Sequence, residues 1–520
     1  MLDGQILRKY YIGTLSATAF FMPLSVWLLT FFIIAMGLVW IADGGLRRIG
    51  NLRKDKISIL IFLGIYLVYL IWMIKTSDLG FGLRELKLKL PLLVFPLVIG
   101  LSQPLNKKEI KIILSFFIAG VVLSSLIGII AYSFGKDISD IDNPRKISPF
   151  ISHIRLALMT DFSVVCSAWY YVTDTTRINR LIYLLAAIWL TVFLFLLLSL
   201  TGIIIFAILL IISLFLVVRQ SKNSILKISL ILIVAASFIS TVFFISGEIE
   251  SFYKKGSAYS YPLKNQTVNG NPYQHYPERK DIENGNQVWI YLNEDELRKE
   301  WNSRSLIKYD SNDFRDQKLR YTLIRYLTST GLTKDSAGLA KLHDIDIRFI
   351  ENGITNILFT EGKPVKSKVY EVIWQIDYYI NGGNPSGHSV TQRMEYMKKG
   401  WHLYEENVLT GTGTGDIKNE FKNQFRKENS MLESRFIYLP HNQFLTFLIS
   451  FGIIGFIIIS CSILIPAVMK KVFRSFLFNC FFIIILLSLF GEDTLETHPG
   501  VSFFAYFYSL FVFGNIIYEL

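Results

Sequence analysis

Apolar segments long enough to cross the ~30 Å hydrocarbon core of a membrane recur along the whole of this chain. Hydrophobic residues make up 52% of its 520 residues and charged residues only 18%, and the mean hydropathy is +0.41. A soluble enzyme of this length would carry more charge on its surface. The composition therefore predicts an all-α polytopic membrane protein.

The pattern of apolar segments predicts about twelve transmembrane helices. The apolar stretch 11–41 is broken by Pro23, and we interpret it as two short spans that meet at a tight turn. The other ten spans are predicted at about 57–75, 90–102, 110–133, 153–173, 180–199, 202–218, 226–246, 442–469, 474–490 and 500–518.

A long polar insert interrupts this series of spans. We therefore predict a membrane domain of about nine helices at 1–246, a loop domain at 247–437 and a membrane domain of about three helices at 438–520. The insert is rich in tyrosine and asparagine. Its helix signals at 294–301, 316–329 and 366–379 predict a mostly helical domain.

The basic residues of the connecting loops set the orientation, because loops on the cytosolic side are enriched in lysine and arginine. With twelve spans, both termini are predicted to be cytosolic, and the loop domain and the acidic segment 492–496 periplasmic. Topology thus accounts for most of the net charge of +12, and we exclude nucleic acid as a partner. The predicted cytosolic loops contain Arg47, Arg48, Arg53, Lys54, Lys56, Lys107, Lys108, Lys111, Arg177, Arg180, Arg219, Lys222, Lys227, Lys470, Lys471 and Arg474.

Two basic clusters fall on the predicted outer side, where charge gives no topological benefit. Arg84, Lys87 and Lys89 form the first cluster, and we expect them to bind an anionic ligand or outer-leaflet headgroups. Lys146 and Arg155 form the second. Arg155 lies in the first turn or so of a span, where a charge is costly unless it faces a cavity or an ion partner.

The partner of Arg155 could be Asp161, six residues further along the same span. The alternative for Arg155 is a side chain that extends to the membrane surface.

Arg393 is a second candidate for binding an anion. Ser389–Val390–Thr391–Gln392 has the pattern of a capping box and predicts a helix that runs to about Glu406. A helix N-terminus and a guanidinium group together suit phosphate oxygens. The alternative is a surface arginine paired with Glu395 or with solvent.

Alternating glycines follow this helix at Gly411, Gly413 and Gly415. They lack the lysine and the preceding strand of a P-loop. Glycine allows a positive φ and a close approach of two backbones. We therefore favour a tight loop that packs the insert onto the membrane domain.

His441 stands where the insert returns to the membrane. Histidine changes charge near neutral pH, and at this boundary it could meet both an aqueous hydroxyl and a lipid-borne substrate. A zinc site of His153, His441 and His498 is disfavoured, because none has the i, i+3 or i+4 spacing of metal ligands. We predict neither a metal nor another cofactor. The three cysteines lie in apolar runs and predict no disulfide.

Three stretches resemble the O-antigen ligase superfamily, which also contains O-antigen polymerases and protein O-oligosaccharyltransferases. His441–Asn442 followed after nine residues by Gly452-Ile-Ile-Gly455 is similar to its histidine motif. The segments 389–401 and 407–416 resemble its arginine-bearing outer helix and the turn after it, and 152–158 resembles the arginine-bearing start of a middle span. The insert, at 269–273 and 321–328, looks like a longer, Bacteroidota-type version.

The resemblance implies a GT-C-like membrane glycosyltransferase in the bacterial inner membrane. Such enzymes move a glycan from undecaprenyl diphosphate to an acceptor hydroxyl, such as that of lipid A-core, on the periplasmic face and without metal. It implies His441 as general base, Arg155 and Arg393 as diphosphate ligands, and Asn442, Arg84, Gly413 and Gly415 as supporting residues. A lipid-linked glycan transporter or an assembly scaffold remain alternatives outside this superfamily.

Overall fold

The computed structural model describes residues 4–50, 56–134, 147–220, 223–254 and 263–514. The predicted basic positions Arg53, Lys54, Lys146 and Lys222 lie outside them. Contacts divide the chain into two compact units. The first unit takes its residues from Met1–Gly135, Pro144–Phe215 and Arg393–Leu520, and the second from Lys136–Asn143 and Leu216–Gln392.

Most of the described residues are helical. The helices before the polar insert are α1 (Gly4–Phe21), α2 (Val26–Ala42), α3 (Gly45–Gly50), α4 (Ile57–Ile71), α5 (Leu79–Leu88), α6 (Pro91–Gly100), α7 (Lys107–Phe134), α8 (His153–Thr173), α9 (Arg177–Leu196), α10 (Leu200–Gln220) and α11 (Ser224–Tyr253). Two short antiparallel strands follow, β1 (Ile282–Glu283) and β2 (Asn286–Gln287). The remaining helices are α12 (Glu294–Arg304), α13 (Leu319–Ser329), α14 (Ser336–Ala340), α15 (Asp344–Glu351), α16 (Pro364–Ile380), α17 (Ser389–Glu406), α18 (Ile417–Lys427), α19 (Gln443–Met469), α20 (Phe476–Gly491) and α21 (His498–Phe513).

A helix lies at each of the twelve predicted span positions. Helical structure and an integral membrane protein are thus confirmed, while the count of twelve spans and their sidedness remain predictions. Among the described residues, five helices are long and apolar enough to cross a membrane: Ile57–Lys75, Lys107–Phe134, Arg177–Leu196, Lys227–Tyr253 and Gln443–Met469.

The interior of the first unit is built on α8 and α21, which are buried along most of their lengths. The helix α21 packs against α6, α20 against α8, and α19 against α4. Phenylalanine rings fill the centre; those of Phe117 and Phe162 lie 4.7 and 4.9 Å from the ring of Phe507. This packing fixes the ends of α8, α19 and α21 that carry the candidate site.

Side-chain caps fix where three helices around the site begin. Asn442 accepts a hydrogen bond from the Leu445 amide at the start of α19, and Thr497 accepts one from the Gly500 amide at the start of α21. Asp78 does the same for the Phe81 amide in α5. Such caps satisfy amide groups that the helix itself leaves unpaired.

The second unit has its own apolar core, around Leu297, Trp301, Leu323 and Ile350. The helices predicted at 294–301, 316–329 and 366–379 are present as α12, α13 and α16. The polar carboxylate of Glu283 is fully buried there, where Arg325, Asn356 and Tyr370 donate to it at 2.6, 2.6 and 2.9 Å.

The two compact units divide the chain near residues 215 and 392, whereas the predicted domain boundaries fall near 246 and 437. The units reflect contacts between residues, but the predicted boundaries concern the side of the membrane. The predicted domains therefore remain predictions.

Candidate active site

A short acidic loop, 492–496, connects α20 to α21 and lies inside the first unit. Glu492 and Asp493 are 1% and 6% exposed. Carboxylates are rarely buried to this extent unless cationic groups or hydrogen-bond donors surround them. The contacts of this loop define the candidate site.

Three residues that the sequence analysis selected from distant segments meet at the carboxylate of Glu492. The Nη2 atom of Arg393 lies 2.5 Å from Oε1, and the Nη1 atom of Arg155 lies 3.3 Å from Oε2. The Nδ1 atom of His441 lies 3.4 Å from the same Oε2. One carboxylate thus connects α8, α17 and the start of α19.

Arg155 is held on more than one side. Its Nη2 atom donates to the Asp493 carbonyl at 2.8 Å, and its Nε atom donates to the Thr497 hydroxyl at 3.3 Å. The prediction that Asp161 is its ion partner is wrong: no group among the described residues hydrogen bonds to the buried Asp161 carboxylate. Arg155 lies at the N-terminal end of α8, within reach of the acidic loop, whereas Asp161 lies more than a turn further along the helix.

The imidazole of His441 is held by backbone and ring contacts. His441 has a φ of 52°, an uncommon conformation for a residue other than glycine. Its amide donates to the Asp493 carboxylate at 2.7 Å, and its ring stacks on Tyr396 with centroids 5.7 Å apart. Among the described residues no group hydrogen bonds to Nε2, and the side chain is 33% exposed. Nδ1 is therefore occupied, and Nε2 is available to a ligand.

Asp493 joins the loop to α19. Its carboxylate accepts a hydrogen bond from the Thr446 hydroxyl at 2.6 Å besides that from the His441 amide. Asn442, a predicted supporting residue, caps α19 and donates to the Phe490 carbonyl at 3.1 Å. These contacts fix the backbone on both sides of His441.

The surroundings of the two carboxylates shift their pKa values in opposite directions. Burial alone would raise the pKa of Glu492, but the hydrogen bond with His441 and the charges of Arg393 and Arg155 lower it to about 2. Burial raises the pKa of Asp493 above its usual range, although the hydrogen bond from Thr446 opposes this. Glu492 is consequently a fixed negative charge between two guanidinium groups.

The other end of the acidic loop is anchored by a second ion pair. Lys89, whose side chain is fully buried, lies 2.6 Å from Glu496 and donates to the Leu495 carbonyl at 2.5 Å. Gln443 donates to Glu496 at 2.7 Å and accepts from the Leu495 amide at 2.8 Å. Burial also raises the pKa of Glu85 to about 7, although Lys89 lies 3.6 Å away and opposes this.

The start of α17 differs from the predicted anion site. The helix covers Ser389–Glu406, as predicted, but Ser389 is already helical and the Val390 amide donates its hydrogen bond to the side-chain carbonyl of Gln375 on α16, at 2.9 Å. Arg393 pairs with Glu492, neither with Glu395 nor with solvent alone. The prediction of a helix at 389–406 is therefore confirmed, and the prediction of a capping box at Ser389 is wrong.

The glycine loop lies within the first unit and packs closely against two other segments of it, which supports the interpretation as a tight packing loop. Gly411 and Gly413 have φ values of 62° and 108°, and the Gly413 amide donates to the Ser450 carbonyl at 2.9 Å. A side chain on Gly415 would collide with Asp78 and Thr76. Gly413 and Gly415 thus contact the segments 75–82 and 449–453. Neither contacts Glu492 directly.

An apolar groove extends the candidate site, whereas the predicted supporting residue Arg84 makes no ion pair with the described residues there. An apolar groove of about 720 Å³ begins at Asn442, next to His441. Its walls are formed by Met397, Lys398, Trp401, His402, Phe444, Leu445, Leu448, Phe456 and Phe490. Arg84, in contrast, is exposed on α5, and it has no ion pair with any described residue.

Comparison with known families bears on this arrangement. Residues 353–460 match the family model described as O-antigen ligase. The predicted resemblance to the O-antigen ligase superfamily is confirmed. No curated protein matches the chain. The match supports a membrane enzyme of the O-antigen ligase or polymerase type. It contains Arg393, the glycine loop and His441, whereas Arg155 and the acidic loop lie outside it.

The sequence analysis did not identify the residues that bring the candidate site together. The sequence analysis treated Glu492 and Asp493 only as part of an acidic segment on the predicted outer side, and Lys89 only as part of a basic cluster. One signal could have identified them: in a strongly basic chain, an acidic segment on the predicted outer side is expected to pair with cationic side chains. No group of three or more metal-ligating side chains suited to an ion lies among the described residues. The absence of a metal from the reaction remains a prediction.

Proposed function

We propose that this protein transfers a glycan from undecaprenyl diphosphate to an acceptor hydroxyl, that of lipid A-core, at the periplasmic face of the inner membrane. The observation that carries the proposal is the convergence of His441, Arg155 and Arg393 on Glu492. These are a candidate base and two candidate diphosphate ligands, each of which the sequence indicates independently of the others.

His441 acts as the general base in this proposal. The acceptor hydroxyl attacks C1 of the first sugar while its proton passes to Nε2 of His441. A bond from C1 to the acceptor oxygen forms as the bond from C1 to the phosphate oxygen breaks, so the configuration at C1 inverts. Glu492, next to Nδ1, stabilises the imidazolium that results.

The arginines bind the diphosphate, whose negative charge grows as it leaves. Arg393 is 39% exposed and contacts Glu492 with Nη2, so its other donors can reach a phosphate. Arg155 is 7% exposed and spends its donors on Glu492, Asp493 and Thr497. We therefore propose that Arg393 makes most of the direct contact with the diphosphate, and that Arg155 acts mainly through the electrostatic effect of its charge.

The apolar groove at Asn442 supports a prenyl-linked donor. Its 720 Å³ volume and its walls of phenylalanine, leucine, methionine and tryptophan suit a hydrocarbon chain. A tail held there would keep the diphosphate close to the outer end of α19, where His441 lies, and would raise the effective concentration of the reacting atoms.

The proposal is tested by transfer assays with purified protein, a lipid-linked glycan donor and lipid A-core. His441→Asn should lower transfer by roughly 10²–10⁴-fold, as loss of a general base does. Asparagine is chosen because it tolerates the positive φ at this position better than alanine. The control is His343→Asn, which replaces an exposed histidine of the second unit and retains a residue suited to a helix N-cap. Equal transfer by the two variants contradicts the mechanism.

The acceptor is tested in the cell. In a deletion strain, loss of all glycan-capped lipopolysaccharide supports the ligase, and chains capped with a single repeat unit show a polymerase. Unchanged lipopolysaccharide with altered glycoproteins shows a protein O-oligosaccharyltransferase.

The sidedness is tested by cysteine labelling in a Cys461→Ala background, because Cys166 and Cys480 are buried. A cysteine at Ser303 should react with a membrane-impermeant maleimide in cells with a permeabilised outer membrane. One at Arg47 should not. The reverse result would place the candidate site in the cytosol and contradict the proposed donor.

A further inference from the structure

Several cations on the surface of the first unit have no anionic partner among the described residues. Arg84 and Lys87 lie on α5, and Lys422 and Arg426 on α18; no ion pair or side-chain hydrogen bond involves them. Lys427, next to Arg426 in the chain, is in contrast paired with Glu406. The proposed glycan transfer uses none of these four.

The helix α5 has the form of a helix at a membrane surface. It begins at Leu79, just after the end of the apolar segment Ile57–Lys75, and α6 follows it directly. Gly82, Leu86 and Lys89 are buried on one side.

On the outer side of α5, apolar and basic residues lie next to each other. Leu79 and Leu83 are 58% and 62% exposed, beside the exposed Arg84 and Lys87. Exposed leucines next to cations are typical of helices that lie at the boundary between headgroups and acyl chains.

The helix α18 presents a basic stripe. Its apolar residues Ile417, Phe421 and Phe425 are buried in a cluster with Leu445 and Ile449 of α19. Lys418, Lys422 and Arg426 follow one another at intervals of four residues, so they lie along one face about 6 Å apart.

The two helices meet at their amino-terminal ends. The Asp416 carboxylate, just before α18, accepts hydrogen bonds from the Ser77 and Asp78 amides, both at 2.8 Å. Asn419 donates to the Asp78 carboxylate at 3.3 Å, and the Lys418 ammonium lies 5.9 Å from the centre of the Phe81 ring. The two helices that carry the unpaired cations are therefore joined at these ends.

We propose that the outer faces of α5 and α18 bind the phosphate groups of anionic phospholipids in the membrane that the chain spans. The cations match the phosphates, and the exposed leucines of α5 match the upper acyl chains. Free phosphate would use the cations and leave the leucines in water, which favours a lipid as the source. This proposal does not depend on the proposed glycan transfer.

The test measures equilibrium binding of fluorescent phosphatidylglycerol to the full-length protein in uncharged detergent, with phosphatidylcholine as the competitor. The variant Arg84→Gln/Lys87→Gln/Lys422→Gln/Arg426→Gln removes four charges and keeps side-chain length. Its affinity should fall by about tenfold or more, since each cation near an anionic lipid surface contributes appreciably. The matched control is Lys280→Gln/Lys299→Gln/Lys308→Gln/Lys341→Gln, which removes four exposed lysines of the second unit.

The binding measurements distinguish a lipid-binding surface from its alternatives. A selective loss in the first variant, with unchanged unfolding temperature, supports the surface. Equal binding by both variants overturns the proposal, and so does equal affinity of the native protein for phosphatidylcholine. Displacement by millimolar inorganic phosphate overturns the assignment to a lipid. Should the fourfold variant not fold, Arg84→Gln/Lys87→Gln and Lys422→Gln/Arg426→Gln are measured separately, and unchanged binding by both overturns the proposal.

Discussion

The acidic loop 492–496 carries a carboxylate with little exposure at each end, 2% for the side chain of Glu492 and 11% for that of Glu496, and the two differ in what surrounds them. Glu492 contacts Arg393 and His441, which are 39% and 33% exposed. Glu496 contacts Lys89, whose side chain is fully buried. The same five residues thus form an open charged site at one end and a closed ion pair at the other. We therefore expect chemistry with a substrate at the open end, and we expect the closed end to hold the loop in place.

The strongest test of this comparison removes the charge at the open end. Glu492→Gln should lower transfer by roughly 10²-fold, because the imidazolium loses its anion and two arginines lose their shared partner. The measurement is kcat and KM with the lipid-linked donor. Glu420→Gln, on α18, is the control. Full activity of Glu492→Gln would remove Glu492 from the site.

At the closed end we expect a loss of stability. Lys89→Met leaves Glu496 buried without its cation, which should lower the free energy of unfolding by about 3–5 kcal/mol. The turnover of the molecules that remain folded should change little. Thermal unfolding in detergent measures the effect.

The double variant Lys89→Met/Glu496→Gln is the check on the cause. It should recover much of the stability, because the uncompensated charge is gone. If it is no more stable than Lys89→Met alone, the ion pair is not what holds the loop.

The arginines should respond differently to the same conservative change. Arg393→Lys should raise KM for the donor about tenfold, since lysine cannot reproduce a forked contact with phosphate. Arg155→Lys should lower the unfolding temperature more than it changes KM, because three of its contacts are internal. The opposite ranking would reassign the direct phosphate contact to Arg155.

Glu492 should also give the stability a defined dependence on pH. Its pKa is lowered from 4.5 to about 2 in the folded protein, so its stabilising effect is fully present above 4.5 and is lost as the pH falls from 4.5 towards 2. The difference in unfolding temperature between the native protein and Glu492→Gln should be smaller at pH 4 than at pH 5. A difference that grows from pH 5 to pH 4 contradicts the lowered pKa of Glu492.

The smallest effect is expected from chelation. Transfer should change by less than about twofold in EDTA, since arginine is assigned the charge stabilisation that a metal would otherwise supply. Loss of activity that one divalent ion restores would assign that role to a metal.

The sequence predicted the positions of the helices well. A helix lies at each of the span positions that hydropathy predicted, and the pattern at Ser389–Gln392 predicted α17 from its first residue to Glu406. Both signals are local, since hydrophobic length and helix-start residues act within one segment. The partners were not predictable in this way. Asp161 was the wrong partner for Arg155 because proximity along a helix was the only information available.

By itself, the sequence determined that this chain is a helical membrane protein with an O-antigen ligase-like segment, and it predicted that the histidine of that segment, His441, lies at the membrane boundary. These properties depend on composition, periodicity and residues close together in the chain. The tertiary structure decided that Arg155, Arg393 and His441 meet at Glu492 and that Lys89 is buried against Glu496. Those contacts join residues separated by up to 407 positions. The packing of the helices decides which residues meet. Because burying a charged side chain is costly, such a residue is stable there only beside a group of opposite charge.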